Sequence, residues 1–166
     1  MDLKKNRIII LDNFLEETFV SDLQKKLNKD NISETWYNKE EKHFYSDLCQ
    51  IFLQETKNYY DLSNCIGYEI WTQNNTRPSD WHYDKDENFF NLTGNYKFPI
   101  CSIVYYLNVN NLIGGLLHLD SCIITPKINR LVIFPPGVIH YVEEFLGERT
   151  SILLNPWDYR LDTDGL

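Results

Sequence analysis

The chain has 166 residues, 43% hydrophobic and 14% aromatic, which suits one globular domain with a single core and excludes a disordered chain. A net charge of −8 argues against a protein that tracks nucleic-acid phosphates, and no nucleic-acid partner is expected. No apolar run approaches the roughly 20 residues that cross a bilayer, so the chain reads as a soluble, cytoplasmic protein with no membrane partner.

Lys4-Lys5 and Lys25-Lys26 are too sparse to build a basic patch and read as solvated helix surface. Cys49, Cys65, Cys101 and Cys122 show no CxxC spacing and read as reduced, buried thiols. Ile8-Ile9-Ile10-Leu11 is too short for a signal-peptide core and reads as a buried strand. Leu15, Phe19, Leu23 and Leu27 form one apolar stripe and predict a helix over 15–27, with Asp12 or Asn13 as its cap. A second helix is predicted over 42–60, with Phe44, Leu48, Ile51, Phe52 and Tyr59 inward and His43 exposed at its start.

After residue 65 the pattern changes to short segments rich in β-branched and aromatic residues. Strands are predicted over 67–73, 99–108, 115–120, 130–134, 139–142 and 149–154. Turn signals separate them at 74–78, 108–111, Gly114-Gly115, Pro135-Pro136-Gly137 and Leu146-Gly147. Residues 84–98 are polar and aromatic without a clear period and read as a long loop. Helices followed by many short strands predict a mainly β fold, a sandwich or jelly roll with N-terminal helices packed on one side.

The chemistry concentrates in Trp81-His82-Tyr83-Asp84 and in a later His140. On a strand, residues i and i+2 point to one face about 7 Å apart, so His82 and Asp84 can converge on one ion; on a helix they diverge. A His-x-Asp pair alone is common by chance, and its weight comes from its company. With His140 it makes the two-histidine, one-carboxylate set that holds non-haem Fe(II) and leaves positions open. If 139–142 and 149–154 are arms of a hairpin turning between Glu144 and Phe145, His140 lies opposite Arg149, and Ser151 shares that face. A guanidinium grips a carboxylate through two parallel hydrogen bonds, and a hydroxyl adds a third. The inferred partner is a dicarboxylate whose other end chelates the metal. Taken alone, Arg149 would be a solvated charge at a strand end.

Together these residues resemble the Fe(II)/2-oxoglutarate-dependent dioxygenases, and most of all their prolyl-hydroxylase-like branch. The resemblance covers residues 66–157. It rests on His82-x-Asp84, Ser102-Ile103-Val104-Tyr105-Tyr106-Leu107-Asn108, Gly114-Gly115-Leu116-Leu117, Arg130-Leu131-Val132-Ile133-Phe134, His140 and Arg149. It implies a double-stranded β-helix, a form of the jelly roll, over 66–157, with helical support over 1–65, in a single domain spanning 1–166. His82, Asp84 and His140 would be iron ligands. Arg149 would hold the distal carboxylate of 2-oxoglutarate, Tyr106 would donate its hydroxyl to that carboxylate, and Leu117 would line the pocket. Ser151 resembles the serine of an Arg-x-Ser motif. O2 would be the second cosubstrate, and ascorbate is left open as a further cofactor.

The implied reaction hydroxylates a small-molecule or peptide substrate and releases succinate and CO2. A prolyl residue, a free amino acid and another small molecule all remain open as substrates, as does the oligomeric state. The cofactors carry the hard chemistry, which agrees with the lack of a Ser/His/Asp set. Thr72, flanked by Trp71 and Gln73, stands where relatives often carry a tyrosine near the cosubstrate. Leu153 and Asn155 occupy positions that vary with substrate.

The alternative reading is a non-catalytic jelly-roll protein that keeps a metal for structure or sensing; Arg149 disfavours it, since a structural metal needs no carboxylate clamp. Nucleic-acid demethylation by a related oxygenase is disfavoured by the acidic balance. His118 reads as a hydrogen-bonded sheet histidine and Gly114-Gly115 as a turn that needs positive φ. Trp71, Trp81 and Trp157 read as core or pocket wall. Tyr83, Asp86 and Asn88 read as loop residues placed to meet substrate.

Overall fold

The computed structural model describes residues 7–27 and 31–161, so Lys4-Lys5 lies outside the described residues. The first part holds β1 (Ile9–Asp12), α1 (Glu17–Leu27), β2 (Thr35–Asn38) and α2 (Ser46–Thr56). Then come β3 (Gly67–Gln73), α3 (Glu87–Thr93), β4 (Ser102–Gly114), β5 (Leu117–Leu119) and β6 (Ile123–Ile124). The last elements are β7 (Arg130–Phe134), β8 (His140–Val142) and β9 (Phe145–Trp157). No helix among the described residues is long and apolar enough to cross a membrane.

A six-stranded antiparallel sheet runs in the order β1-β7-β4-β9-β3-β2, and a three-stranded sheet in the order β6-β5-β8. The smaller sheet packs on one face of the larger: Leu117, Leu119, Ile124 and Val142 meet Val104, Tyr106, Val132 and Phe134. Because strand side chains alternate, the next residues along face the other way. Ile103, Tyr105, Leu107, Leu131, Ile133, Ile152 and Leu154 pack against Leu23, Leu27, Leu48 and Phe52 of the helices. The result is a jelly roll with its helices on one side, as the element pattern predicts.

The N-terminal part departs from the expected helical support, because it also adds an edge strand to each side of the large sheet. β1 pairs with β7, but its side chains alternate between half-buried and exposed, as an edge strand requires. β2 pairs with β3. Asp12 does not cap α1. Its carboxylate takes Arg130 Nε at 2.7 Å and Arg130 Nη2 at 3.0 Å, with Lys127 Nζ at 3.0 Å, and Asn13 makes the turn with φ 52°. The helix therefore starts later than predicted. Val20, Leu23 and Leu27 face inward, and Phe19 is exposed. α2 is shorter than predicted too, and it buries Leu48 and Phe52 while Phe44 and Ile51 remain exposed. His43 is half-buried rather than exposed, stacked on Tyr37 with ring centroids 3.6 Å apart.

Two predicted turns are bulges instead. The Asn-rich stretch at 108–111 continues β4, whose pairing with β9 shifts register between Tyr106 and Asn108 and again between Asn110 and Ile113. Gly147, expected in a turn, lies inside β9 with φ 91°, where a Cβ would stand 2.2 Å from Asn111 O. Gly114 and Gly115 do form the expected turn, with φ 81° and 73°. The predicted hairpin does not form: β8 pairs with β5, whereas β9 pairs with β4 and β3. The chain passes from one sheet to the other at Glu143 and Glu144, where Glu143 N–H donates to Leu116 O and Phe145 N–H to Thr76 O. Both central partners of β9 come from earlier in the chain, so local sequence cannot reveal them.

Candidate metal centre

Residues 79–82 run along the free edge of β8. Ser79 N–H donates to Val142 O at 3.0 Å, and Val142 N–H returns a bond to Ser79 Oγ at 2.8 Å. His82 and His140 exchange both backbone bonds at 2.9 Å. His82 thus sits on a single bridge, followed by irregular chain through Asp84. That bridge suffices to fix His82 beside His140, with ring centroids 4.3 Å apart.

Ligand atoms of His82, Asp84 and His140 all lie within 4.8 Å of one another. The set grades from exposed His82 through half-buried Asp84 to buried His140, so it opens to solvent on one side. His82 Nδ1 lies 2.7 Å from Asp80 O, and His140 Nδ1 lies 2.9 Å from Val138 O. A ring nitrogen facing a carbonyl carries the proton, which leaves each Nε2 as a lone-pair donor. Burial lowers the His140 pKa, favouring the neutral imidazole that a metal needs. Ser102 Oγ donates to Asp84 Oδ2 at 2.5 Å, and Asp84 Oδ1 sits 3.6 Å from His140 Nε2. Ser102 was not legible as a site residue: a hydroxyl on an apolar strand gives no signal until its partner is known.

A pocket runs inward from this cluster, lined among others by Trp71, Gln73, Val104, Tyr106, Leu117 and Arg149. Arg149 faces the cluster from the large sheet, not from a strand paired with His140. Its guanidinium lies between two rings, 5.7 Å from the Tyr106 centroid and 5.4 Å from that of Phe145. It is 3% exposed, and its Nε has no hydrogen-bond partner among the described residues. Tyr106 OH and Ser151 Oγ are likewise buried without partners. Tyr106 pairs with Ser151 across the sheet and Ser151 with Gln73, so these side chains share the pocket face. Burial pushes the Tyr106 hydroxyl up to about 12, which keeps it a proton donor, and draws Arg149 down. An unpaired cation and two idle hydroxyls in one apolar pocket are costly, and an anion that accepts from all three would relieve that cost.

Leu117 is buried and lines the pocket. Thr72 does not: its hydroxyl accepts from Ile32 N–H at 2.9 Å, while its neighbours Trp71 and Gln73 face the pocket. Asp86 is a structural residue rather than a loop contact for substrate. Its Oδ1 caps α3 through Phe89 N–H at 2.8 Å, and its Oδ2 accepts from Tyr159 OH at 3.0 Å. The long loop thus contains a helix, closed by Gly94. Tyr83 packs on Tyr96 and Phe98. His118 is a hydrogen-bonded sheet residue as expected, 2.6 Å from Glu143 Oε1. Trp157 is core, whereas Trp81 is half exposed against Tyr141.

No protein-family model and no curated protein sequence matches the chain. Solved structures do. A prolyl hydroxylase from Trichoplax adhaerens, in complex with a hypoxia-inducible-factor oxygen-degradation-domain peptide, superposes with TM-score 0.66 at 19% identity, over 94% of this chain and 86% of that one. A Pseudomonas putida prolyl-4-hydroxylase gives 0.66 at 16% identity over 96% of both chains. The viral collagen prolyl hydroxylase of Paramecium bursaria Chlorella virus-1, as its 2-oxoglutarate complex, gives 0.59 at 16% over 90% and 95%. The chain has the jelly-roll fold of the prolyl hydroxylases.

Proposed function

We propose that this chain is an Fe(II)- and 2-oxoglutarate-dependent dioxygenase that hydroxylates its substrate and releases succinate and CO2. One observation carries the reading: a cluster of two imidazoles and a carboxylate opens onto a pocket whose far wall holds a buried, unpaired guanidinium. A metal site alone would not need that cation. A ligand that chelates with one end and carries a carboxylate at the other uses both.

The residues present fit this assignment. His82, Asp84 and His140 would hold the iron through lone pairs already oriented by Asp80 O, Val138 O and Ser102 Oγ. Arg149 would bind the distal carboxylate, Tyr106 and Ser151 would donate their hydroxyls to it, and Leu117 would line the cosubstrate pocket. Val104, Phe134, Val142 and Leu153 add an apolar wall that excludes water and strengthens these polar contacts. Bound iron, 2-oxoglutarate and O2 would supply the oxidation itself. The protein orients these groups and leaves the exposed His82 side open to substrate. The whole chain, 1–166, acts as one dioxygenase domain, with 66–157 as its core.

The test is turnover: purified protein with Fe(II), 2-oxoglutarate and air should form succinate, and amino-acid or peptide substrates should stimulate it. No succinate above the His82→Ala background would defeat the proposal.

A further inference from the structure

Beyond Trp71, the pocket face of the large sheet continues to a second polar group. Glu69 precedes Trp71 by two residues on β3 and so shares its face, about 7 Å further along. Its cross-strand partners are Asn155 on β9 and Trp36 on β2, which therefore stand on that face too. The Trp36 ring lies over Gly67, where a Cβ would come within 2.4 Å of it, so glycine there lets the indole cover this end of the groove.

The groups here are incompletely paired. Glu69 Oε2 accepts from Trp157 Nε1 at 2.9 Å, but none of the ion pairs among the described residues includes Glu69. Asn155 is 4% exposed, a buried amide on the same face. Trp36 Nε1 is buried without a partner. Burial, then the nearby Glu34, raises the Glu69 pKa, and the charge of Asp84 adds to this. A carboxyl group crowded by Glu34 and Asp84, held by one neutral indole N–H and set beside further amide and indole groups, ionises fully only when a ligand brings positive charge. Glu34 and Glu69 belong to no group of three metal-ligating side chains among the described residues, so the geometry favours an organic cation over a metal ion.

We propose that Glu69 and Asn155 form the substrate subsite beside the metal cluster, and that it selects substrates bearing a protonated amine. Glu69 holds the ammonium, and Asn155 hydrogen-bonds an adjacent polar group. This rests on the oxygenase reading, since the amine anchors the substrate next to the cluster. The amine comes either from the α-amino group of a free amino acid or from a basic side chain in a peptide.

The experiment is anaerobic calorimetry on Fe(II)-loaded protein, with and without 2-oxoglutarate. The probes are L-proline, L-lysine and an end-blocked lysyl peptide, each against its N-acetylated counterpart. At least one amine should bind ten-fold or more tightly than its acetylated partner. Glu69→Gln should erase that preference while leaving 2-oxoglutarate affinity unchanged, and Asn155→Leu should weaken the amine without erasing its advantage. Preference among free amino acids alone, or for the peptide alone, identifies the source. Equal binding of every pair, or a preference that survives Glu69→Gln, overturns the subsite while 2-oxoglutarate binding still supports the oxygenase. Failure of 2-oxoglutarate to bind the wild type overturns both.

Discussion

Ser102 Oγ donates to Asp84 Oδ2 at 2.5 Å, and this one bond ties the metal cluster to β4, one of the two central strands of the large sheet. It turns the other carboxylate oxygen toward His140 Nε2, 3.6 Å away. Groups that orient a ligand in this way are typically worth about 10–100-fold in metal affinity. Ser102→Ala should therefore weaken Fe(II) binding by about that factor, and Ser102→Thr should restore most of it. Metal titration checks this, and unchanged affinity in Ser102→Ala would leave Asp84 held by other means.

Arg149 should show opposite effects on stability and binding. Without ligand its charge is buried and unpaired, a state that apolar replacement relieves. Arg149→Met should then raise the thermal midpoint of the ligand-free protein while removing the stabilisation that added 2-oxoglutarate gives the wild type. Differential scanning fluorimetry with and without 2-oxoglutarate reads both. A lowered midpoint in the ligand-free variant would mean that the guanidinium is already satisfied.

Gly147 sets the register that delivers Arg149. It takes φ 91° in the bulge facing Asn110 and Asn111, and a Cβ would stand 2.2 Å from Asn111 O. Strain in that backbone region costs about 1–3 kcal/mol, and the clash adds to it. Gly147→Ala should be destabilised by at least that amount in urea denaturation and should bind 2-oxoglutarate more weakly.

Part of the loss of stability at acid pH should trace to His43. Its Nδ1 accepts from Tyr45 N–H at 3.3 Å and its Nε2 lies 2.8 Å from Tyr68 OH, so protonation would break the first bond. Burial lowers its pKa below the ordinary 6.5. A folded-state value below the unfolded one means that the unfolded chain takes up the proton first. The His43 contribution to stability should be full above pH about 6.5 and decline as pH falls below it. His43→Phe keeps the stack on Tyr37 and should flatten that decline; an unchanged profile would assign it to other groups.

Residue type and order made the candidate site legible before its geometry was known. His82, Asp84, His140, Arg149, Tyr106 and Leu117 all line one pocket. β3 and β7 fall on their predicted bounds because β-branched and aromatic residues crowd between clear turn signals. The route from His140 to Arg149 is not the hairpin that the spacing predicts, because strand pairing is non-local and both partners of β9 lie earlier in the chain. Helix α3 buries none of its residues, so it has no apolar stripe to betray it. Its signals were Asp86 as cap and Gly94 at its end, both easily absorbed into a loop. Ser102 is a polar residue on an otherwise apolar strand, and only the fold shows that it faces Asp84.

Anaerobic titration of 2-oxoglutarate into Fe(II)-loaded wild-type, His82→Ala and Arg149→Met proteins tests whether the metal cluster and Arg149 share one ligand. Two charge-assisted hydrogen bonds at roughly 1.5–3 kcal/mol each, with tenfold per about 1.4 kcal/mol, predict a loss of about 100-fold or more in Arg149→Met. That variant should keep its iron, whereas His82→Ala should lose iron and with it the iron-dependent part of 2-oxoglutarate binding. Equal affinity in wild type and Arg149→Met, or no iron-dependent binding in the wild type, would contradict the account.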